Sequence, residues 1–419
     1  MDTTGETRAT EVALLTGGAD RPYAFGLATA LMFKVSALDV IGNDELDSSE
    51  FRNAERVRFF NLRGDQRPNA NFLAKALRVV KYYVRLIRYS ATAKPRLFHI
   101  LWNNKFEYFD RTLLMLWYRV LGKNIVLTLH NVNGQKRDGK DSKLNRFTLR
   151  IQYRLADHMF VHTERMKQEL IAEYAARSEN ITVIPFGINN AVPDTRITGK
   201  EARQQLGLRD EERTILFFGN IAPYKGLEYL VAAFQQINCE RSDYKLIIAG
   251  RPKNCESYWN ALRNEIRKDL RTGSVLLKDE FIPDEVTELY MKSADVLVLP
   301  YRHIYQSGVL FLGYSFGLPV LASDVGSLRE DIIEGKTGFV FQPEDSADLA
   351  RTIERYFSSS LYANLARHRQ EIMDFAKARN SWDVIAQMTV DVYSNLLHRS
   401  SSKTATDSRA AAAFDPKIN

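Results

Sequence analysis

Short apolar runs alternate with helix-length stretches in this chain, and the alternation occurs twice. In the first half the runs are EVALLTGG, VSALDVIG, VRFFNLRG, RLFHILW, NIVLTLHNV, HMFVHT and TVIPFG, separated by segments long enough for crossover helices. Strands that each need a crossover line up in parallel, so the pattern predicts a doubly wound α/β sheet. The second half repeats it with TILFFGN, YKLIIAG, SVLLKDEF, DVLVLPY, PVLASDVG and TGFVFQ. Between the halves, Asn, Pro, Asp and Gly cluster in NNAVPDTRITG, just before the helical EARQQLGL. Such a cluster reads as a linker.

The expectation is an α/β chain of two Rossmann-like domains, residues 1–190 and 201–360, joined by a linker at 191–200. Apolar residues at helical spacing in ADLARTIERYF and VIAQMTVDVYSNLL predict C-terminal helices, those over 361–398 crossing back to the first domain. Residues 399–419 are polar and small, without an apolar period to bury, and read as a disordered tail. The 419 residues suffice for two separate cores.

Composition narrows the class. Hydrophobic residues make up 45% and charged residues 26%, ordinary for a folded water-soluble chain and unlike a disordered or multi-span membrane protein. Cys239 and Cys255 are too few for a disulfide scaffold and form no CxxC zinc motif, which suits a reducing cytoplasm. The N-terminal MDTTGETRATEVALLTGG lacks the features of a signal peptide, and no apolar run approaches the roughly 18 residues a membrane span needs. A formal net charge of +7 favours anionic partners without choosing among them. The basic residues lack a recognised nucleic-acid module, so nucleic acid is not an expected partner.

In open α/β sheets, ligands bind beyond the carboxyl ends of the strands, where loops and helix N-termini present free amides. Three loops of the second half carry that chemistry. FFGNIAPYKGLEYL places Gly219 at a strand end and Lys225 before a helix, although a surface lysine at a turn gives the same pattern. YRHIYQSGVLFLGYSFGLPV follows another strand, and there Ser307 can cap a helix while the amides of Ser307, Gly308 and Val309 cradle a diphosphate. An ordinary capped helix has the same sequence signature. ASDVGSLRED has Gly326 after a strand and Glu330 in the first helical turn, where the helix dipole alone favours an acid.

Taken in order, GN...YKG, IAGRP, SADVLVLPY, SGVLFLGYSFGLPVLASDVGSLRE and GKTGF resemble the nucleotide-binding domain of the family 4 glycosyltransferases. The resemblance covers most of the second half and implies the GT-B fold, two Rossmann-like domains facing a central cleft. It implies that Lys225 contacts the diphosphate of a nucleotide sugar. Where the family's motif has an arginine after its glycine, this chain has Asn220, and Arg251 of IAGRP is a candidate substitute. The family's active-site helix carries a glutamate, seven residues, then a second glutamate. An ungapped match on GLPV puts Ile304 and Leu312 there, so Gln306 is the candidate to replace part of the sugar contact. Phe281 in KDEFIPDEV is a candidate for the base.

In the first half, Gly17 and Gly18 end the first strand and permit close backbone approach, whether to a ligand or in a tight turn. The resemblance implies that this loop faces the donor diphosphate and the acceptor. His130 ends the strand NIVLTLHNV and matches the family's histidine near the transferring sugar. His162 and Glu164 read as residues opening a helix, and Gly187 as the turn toward the second domain. Lys225 and helix amides suffice to stabilise a leaving diphosphate, so transfer without a metal or other cofactor is expected. The resemblance favours retention of anomeric configuration. An inverting enzyme needs a protein base, for which Asp20 is the candidate, with a turn aspartate as the other reading.

The implied function is transfer of a hexosyl unit from a nucleoside diphosphate sugar to a glycan or lipid-linked saccharide, in polysaccharide or glycolipid synthesis. An epimerase lacks the acid and base set it needs here, whereas a silent GT-B protein that only binds a nucleotide sugar or a partner stays open. Lastly, NFLAKALRVVKYYVRLIRYSATAKPR carries Lys75, Arg78, Lys81, Arg85 and Arg88 at helical spacing, with Leu77, Val80, Tyr83, Val84 and Ile87 largely opposite. Such a helix either packs on its own domain with a solvated basic side or lays that side on an anionic membrane or lipid-diphosphate acceptor. Peripheral contact with the inner face of the cell membrane is the corresponding expectation.

Overall fold

The structure is a computed structural model that describes residues 10–17, 20–65, 72–137, 140–188, 192–239 and 243–412. The chain divides into two compact units, Met1–Pro185 with Trp382–Asn419, and Phe186–Ser381. Each is built on one parallel sheet, as the repeated alternation predicts.

The first unit holds β1 (Glu11–Leu15), β2 (Ala37–Gly42), β3 (Val57–Asn61), β4 (Leu97–Ile100), β5 (Asn124–Leu129), β6 (His158–Val161) and β7 (Ile181–Val183) in the order β3-β2-β1-β4-β5-β6-β7. All neighbours pair in parallel. Winding reverses after β3, which makes the gap between β1 and β4 the topological switch point. Right-handed crossovers then put the Arg21–Leu31 helix on one face and the Phe72–Thr92, Met115–Val120 and Lys143–Leu155 helices on the other. The last helix, Trp382–Ala412, packs against Arg21–Leu31, with Trp382 edge-on to Tyr23 at 5.0 Å.

The second unit holds β8 (Arg213–Phe218), β9 (Tyr244–Ala249), β10 (Val275–Lys278), β11 (Val296–Leu299), β12 (Val320–Ser323) and β13 (Gly338–Phe341) in the order β10-β9-β8-β11-β12-β13. Its switch point lies between β8 and β11. β11 and β12 are buried at every residue, because helices cover both faces of a parallel sheet and leave no solvent side to alternate toward.

Two expectations are corrected. Residues 399–412 continue the final helix, although the sequence reads as a disordered tail from 399. Loss of an apolar period removes a packing face, but the helical backbone propagates from the packed turns before it, since each added residue extends a helix already nucleated. The second correction concerns the Phe72–Thr92 helix. Its buried side is Tyr82, Tyr83, Leu86 and Tyr89, whereas Leu77, Val80 and Val84, expected to lie inward, are exposed. The tyrosine rings fill the interior while their hydroxyls donate to Asn104, Asp110 and Asp39 at 2.7, 2.9 and 2.7 Å. Arg78 is also not on a solvated face, since it donates to the Asp65 carbonyl. Among the described residues, no helix is long and apolar enough to cross a membrane.

One glycine shapes the second switch point. Gly226 has φ +61°, and a Cβ there would lie 2.0 Å from the Pro300 carbonyl oxygen. Gly207 has a similar φ of +69° with open space around it. Gly226→Ala is therefore expected to destabilise the chain by clearly more than Gly207→Ala, which carries only the backbone strain of about 1 kcal/mol. Urea unfolding of both variants measures the difference, and equal losses would contradict the close packing.

Candidate functional site

The loops after β8 and β11 meet at the switch point of the second unit. After β8 the backbone turns at Gly219, with φ +100°, and Ile221 bonds to the Arg251 carbonyl at 2.9 Å. A short 3-10 turn, Pro223–Lys225, then sends the Lys225 side chain back across Gly219, so that a Cβ on that glycine would stand 3.1 Å from the ammonium. Lys225 is only 6% exposed, and its Nζ lies 5.1 Å from the centroid of the Tyr301 ring. Burial lowers its pKa. Among the described residues Lys225 forms no ion pair, and its ammonium donates to no acceptor.

Tyr301 comes from the loop after β11, which also sets the start of the Gly308–Ser315 helix. Ser307 stands at the N-cap but does not cap with its side chain, a correction to the sequence reading. Its hydroxyl instead lies 3.4 Å from the Tyr301 hydroxyl. The amides of Gly308 and Val309 have no backbone acceptor among the described residues, as first-turn amides do not. The Val309 side chain is as close to Gly219 as 3.4 Å, measured to an added Cβ. The Lys225 ammonium and the Val309 side chain thus flank a glycine with no side chain, next to a helix whose first-turn amides have no backbone acceptor, an arrangement suited to an oxyanion.

Other donor candidates lie around this centre. Asn220 follows Gly219 and is partly buried. Arg251 is exposed, with its guanidinium 5.5 Å from the centroid of the Phe281 ring, which brings those two candidates together. Glu330 is exposed on the short Leu328–Asp331 helix. Its neighbour Asp331, which the sequence reading passed over, is buried, and burial pushes its carboxyl up to about 7 against the opposing pull of Arg379 and the Gln306 amide. Asp331 Oδ1 is 3.7 Å from Arg379, while Asp331 Oδ2 and Gln306 Oε1 are buried without a hydrogen-bond partner. Protonation of Asp331 supplies a donor where both oxygens lack one. Nothing in the local sequence marks this pair, because only tertiary packing buries it.

In the first unit, Gly17 has φ +63°, and a Cβ there would meet the Trp102 carbonyl oxygen at 2.4 Å. The glycine therefore lets the first strand end pack on the loop after β4. Gly18 lies outside the described residues. Trp102, unanticipated from sequence, stacks flat on His130 at 4.1 Å, and His162 Nε2 lies 3.2 Å from His130 Nδ1. Burial first, then His162 and His99, hold His130 well below the ordinary histidine range, so it is a neutral imidazole. Asp20 caps the Arg21–Leu31 helix by accepting from the Tyr23 amide at 3.2 Å. A cavity of about 290 Å³ opens beside His130, lined also by Trp102, Asn103, Arg111 and Gln152. A larger cavity, about 840 Å³ around Arg119, Arg154 and Asp157, sits where β5 and β6 begin, at the opposite sheet edge from these loops.

Residues 212–359 match the family described as Glycosyl transferases group 1, and residues 36–192 match Glycosyltransferase Family 4. Over 240 residues the chain is 31% identical to an uncharacterized glycosyltransferase of Methanocaldococcus jannaschii, covering 55% of this chain and 58% of that one. Over 264 residues it is 28% identical to D-inositol 3-phosphate glycosyltransferase of Acidothermus cellulolyticus, covering 61% and 57%. The match thus spans under two thirds of these relatives' length. Among solved structures, sucrose-phosphate synthase from Thermosynechococcus elongatus superposes with a TM-score of 0.72 at 19% identity, covering 93% of this chain and 100% of that one. Anabaena HepE in complex with UDP and glucose gives 0.71 at 17%, covering 92% and 100%. These likenesses establish the GT-B fold.

Because the folded state binds the Asp331 proton more tightly than the unfolded chain, its contribution to stability is present at low pH and is lost as pH rises from 3.8 through about 7. Asp331→Asn, which mimics the protonated form, should remove that part of the pH slope. Urea midpoints of the two proteins across this range check it, and parallel curves would contradict a buried protonated carboxyl.

Proposed function

We propose that this chain, whose residues 36–192 and 212–359 match family 4 and group 1 glycosyltransferase models, transfers a hexosyl unit from a nucleoside diphosphate sugar to a glycan or lipid-linked saccharide. The observation that carries this reading is the Lys225 ammonium, buried without a counter-charge across Gly219 from the Val309 side chain in the first turn of the Gly308–Ser315 helix. Burying a lone cation is costly, and a diphosphate would repay that cost while restoring the lysine's proton affinity.

In this reading the charge that grows on the leaving diphosphate is met by Lys225 and the two amides, so no metal is required for that step. The sugar is transferred with retention, and a substrate phosphate oxygen assists deprotonation of the acceptor hydroxyl. His130 serves the transferring sugar as a neutral hydrogen-bonding imidazole, consistent with its lowered pKa. Arg251 and Phe281 form the outer part of the nucleotide site, and Gln306 takes the place of the first family glutamate. Contact with an anionic membrane surface belongs to the same proposal and suits a lipid-linked acceptor in polysaccharide or glycolipid synthesis.

A second reading is favoured by one observation. Leu312, matched to the second family glutamate, is 5% exposed and packs in the apolar core, so that helical turn offers the ribose no carboxylate. A GT-B protein that binds nucleotide sugar without transferring it would tolerate this.

Thermal-shift and nucleotide-release measurements with UDP, GDP and ADP sugars separate the readings. Transfer predicts stabilisation by one donor class and nucleotide release that rises on adding a glycan or lipid-linked acceptor. Stabilisation without acceptor-dependent release supports the silent binder, and no stabilisation by any donor overturns both.

A further inference from the structure

Among the described residues, most of the exposed large apolar side chains lie on one face of the first unit. Leu77, Val80 and Val84 line the outer side of the Phe72–Thr92 helix, with Leu77 69% exposed. Leu113, Leu116 and Val120 follow at helical spacing on the next helical run, and Val120 is 80% exposed. Leu144 and Phe147 add a third stripe on the Lys143–Leu155 helix. These helices are neighbours on one side of the sheet. Tyr83 stacks on Phe106 at 5.4 Å and Trp117 donates to Ser90, joining the first two, while Arg111 donates to Asn145, joining the third.

Cations are interleaved with these stripes. On the Phe72–Thr92 helix, Lys81, Arg85 and Arg88 flank Val84, and Lys143 and Arg150 flank Leu144 and Phe147. All five are exposed, and none forms an ion pair among the described residues. The acids nearby are already engaged: Glu107 pairs with Arg111 at 2.6 Å and Asp141 with Arg146 at 2.6 Å.

We infer that this three-helix face docks on an anionic lipid bilayer, with Leu77, Val80, Val84, Leu113, Leu116 and Val120 entering the headgroup boundary and the cations meeting lipid phosphates. It rests on the proposed transfer only in giving that reaction a membrane-borne acceptor, and it goes further by assigning the apolar stripes as the inserting element. A solvated helix face has no use for contiguous exposed leucine and valine, and a purely electrostatic contact needs only the basic residues. Apolar side chains rimmed by unpaired lysine and arginine match the boundary between acyl chains and anionic headgroups.

The test is cosedimentation of the full chain with phosphatidylcholine vesicles, with and without phosphatidylglycerol. The expected result is binding that requires phosphatidylglycerol, weakens with salt, and falls about tenfold or more in Val84→Ser/Leu113→Ser/Leu116→Ser, whose charge is unchanged. Lys81→Gln/Arg85→Gln/Arg88→Gln should lower it as well. These side chains are exposed, so unchanged thermal unfolding of both variants shows that the fold survives. Wild-type binding by the serine variant overturns the inference, as does absence of vesicle binding by the parent chain. A concentration-dependent dimer that the serine substitutions dissociate, in place of vesicle binding, would assign the face to a second copy instead. None of these readouts involves donor, so their failure leaves the nucleotide-sugar reading to its own experiment.

Discussion

Lys225 holds a buried ammonium with no anion beside it, and the surrounding backbone is arranged so that it must. Gly219 leaves the space through which the side chain returns, Gly226 closes the turn under the Pro300 carbonyl, and Tyr301 offers only the face of its ring. A cation over an aromatic face gains a modest attraction, too small to offset full desolvation. An anion would redress the balance, and the first-turn amides of Gly308 and Val309 have no backbone acceptor of their own. The cost of burying the ammonium and the proposed affinity for a diphosphate thus arise from one arrangement, placed at the switch point where the two windings of the sheet part.

What the sequence exposed and what it hid follow from which interactions are local. Strands buried on both faces read as continuous apolar runs, so YKLIIAG and DVLVLPY announce β9 and β11 directly, and Gly219 and Lys225 fall at strand ends by counting. The Phe72–Thr92 helix shows the limit. Its wheel separates cations from aliphatic residues, yet the interior is taken by Tyr82, Tyr83 and Tyr89, whose hydroxyls find Asn104, Asp110 and Asp39 on other segments. Those partners are distant in sequence, and without them the aliphatic side looks like the one to bury. Asp331 is hidden for the same reason, since its raised pKa comes chiefly from burial.

The departures from the family motif gain a physical sense from the structure. Leu312 is part of the core, so a carboxylate there would need a partner that the apolar cluster does not contain. Gln306, just before the Gly308–Ser315 helix, has a buried Oε1 without a hydrogen-bond partner, as has the Oδ2 of Asp331. The proposed diphosphate contact depends less on the helix side chains, because it draws on Lys225 and backbone amides that substitution in the helix leaves in place.

The most direct measurement compares calorimetric affinities of UDP, GDP and ADP with those of their parent nucleosides, in the parent chain and in Lys225→Gln. The account predicts that the variant loses about tenfold to a hundredfold in affinity for the preferred diphosphate, the size of one charge-assisted hydrogen bond, with nucleoside binding unchanged. Equal loss for diphosphate and nucleoside, or no loss at all, would contradict the assignment of Lys225 as the diphosphate anchor.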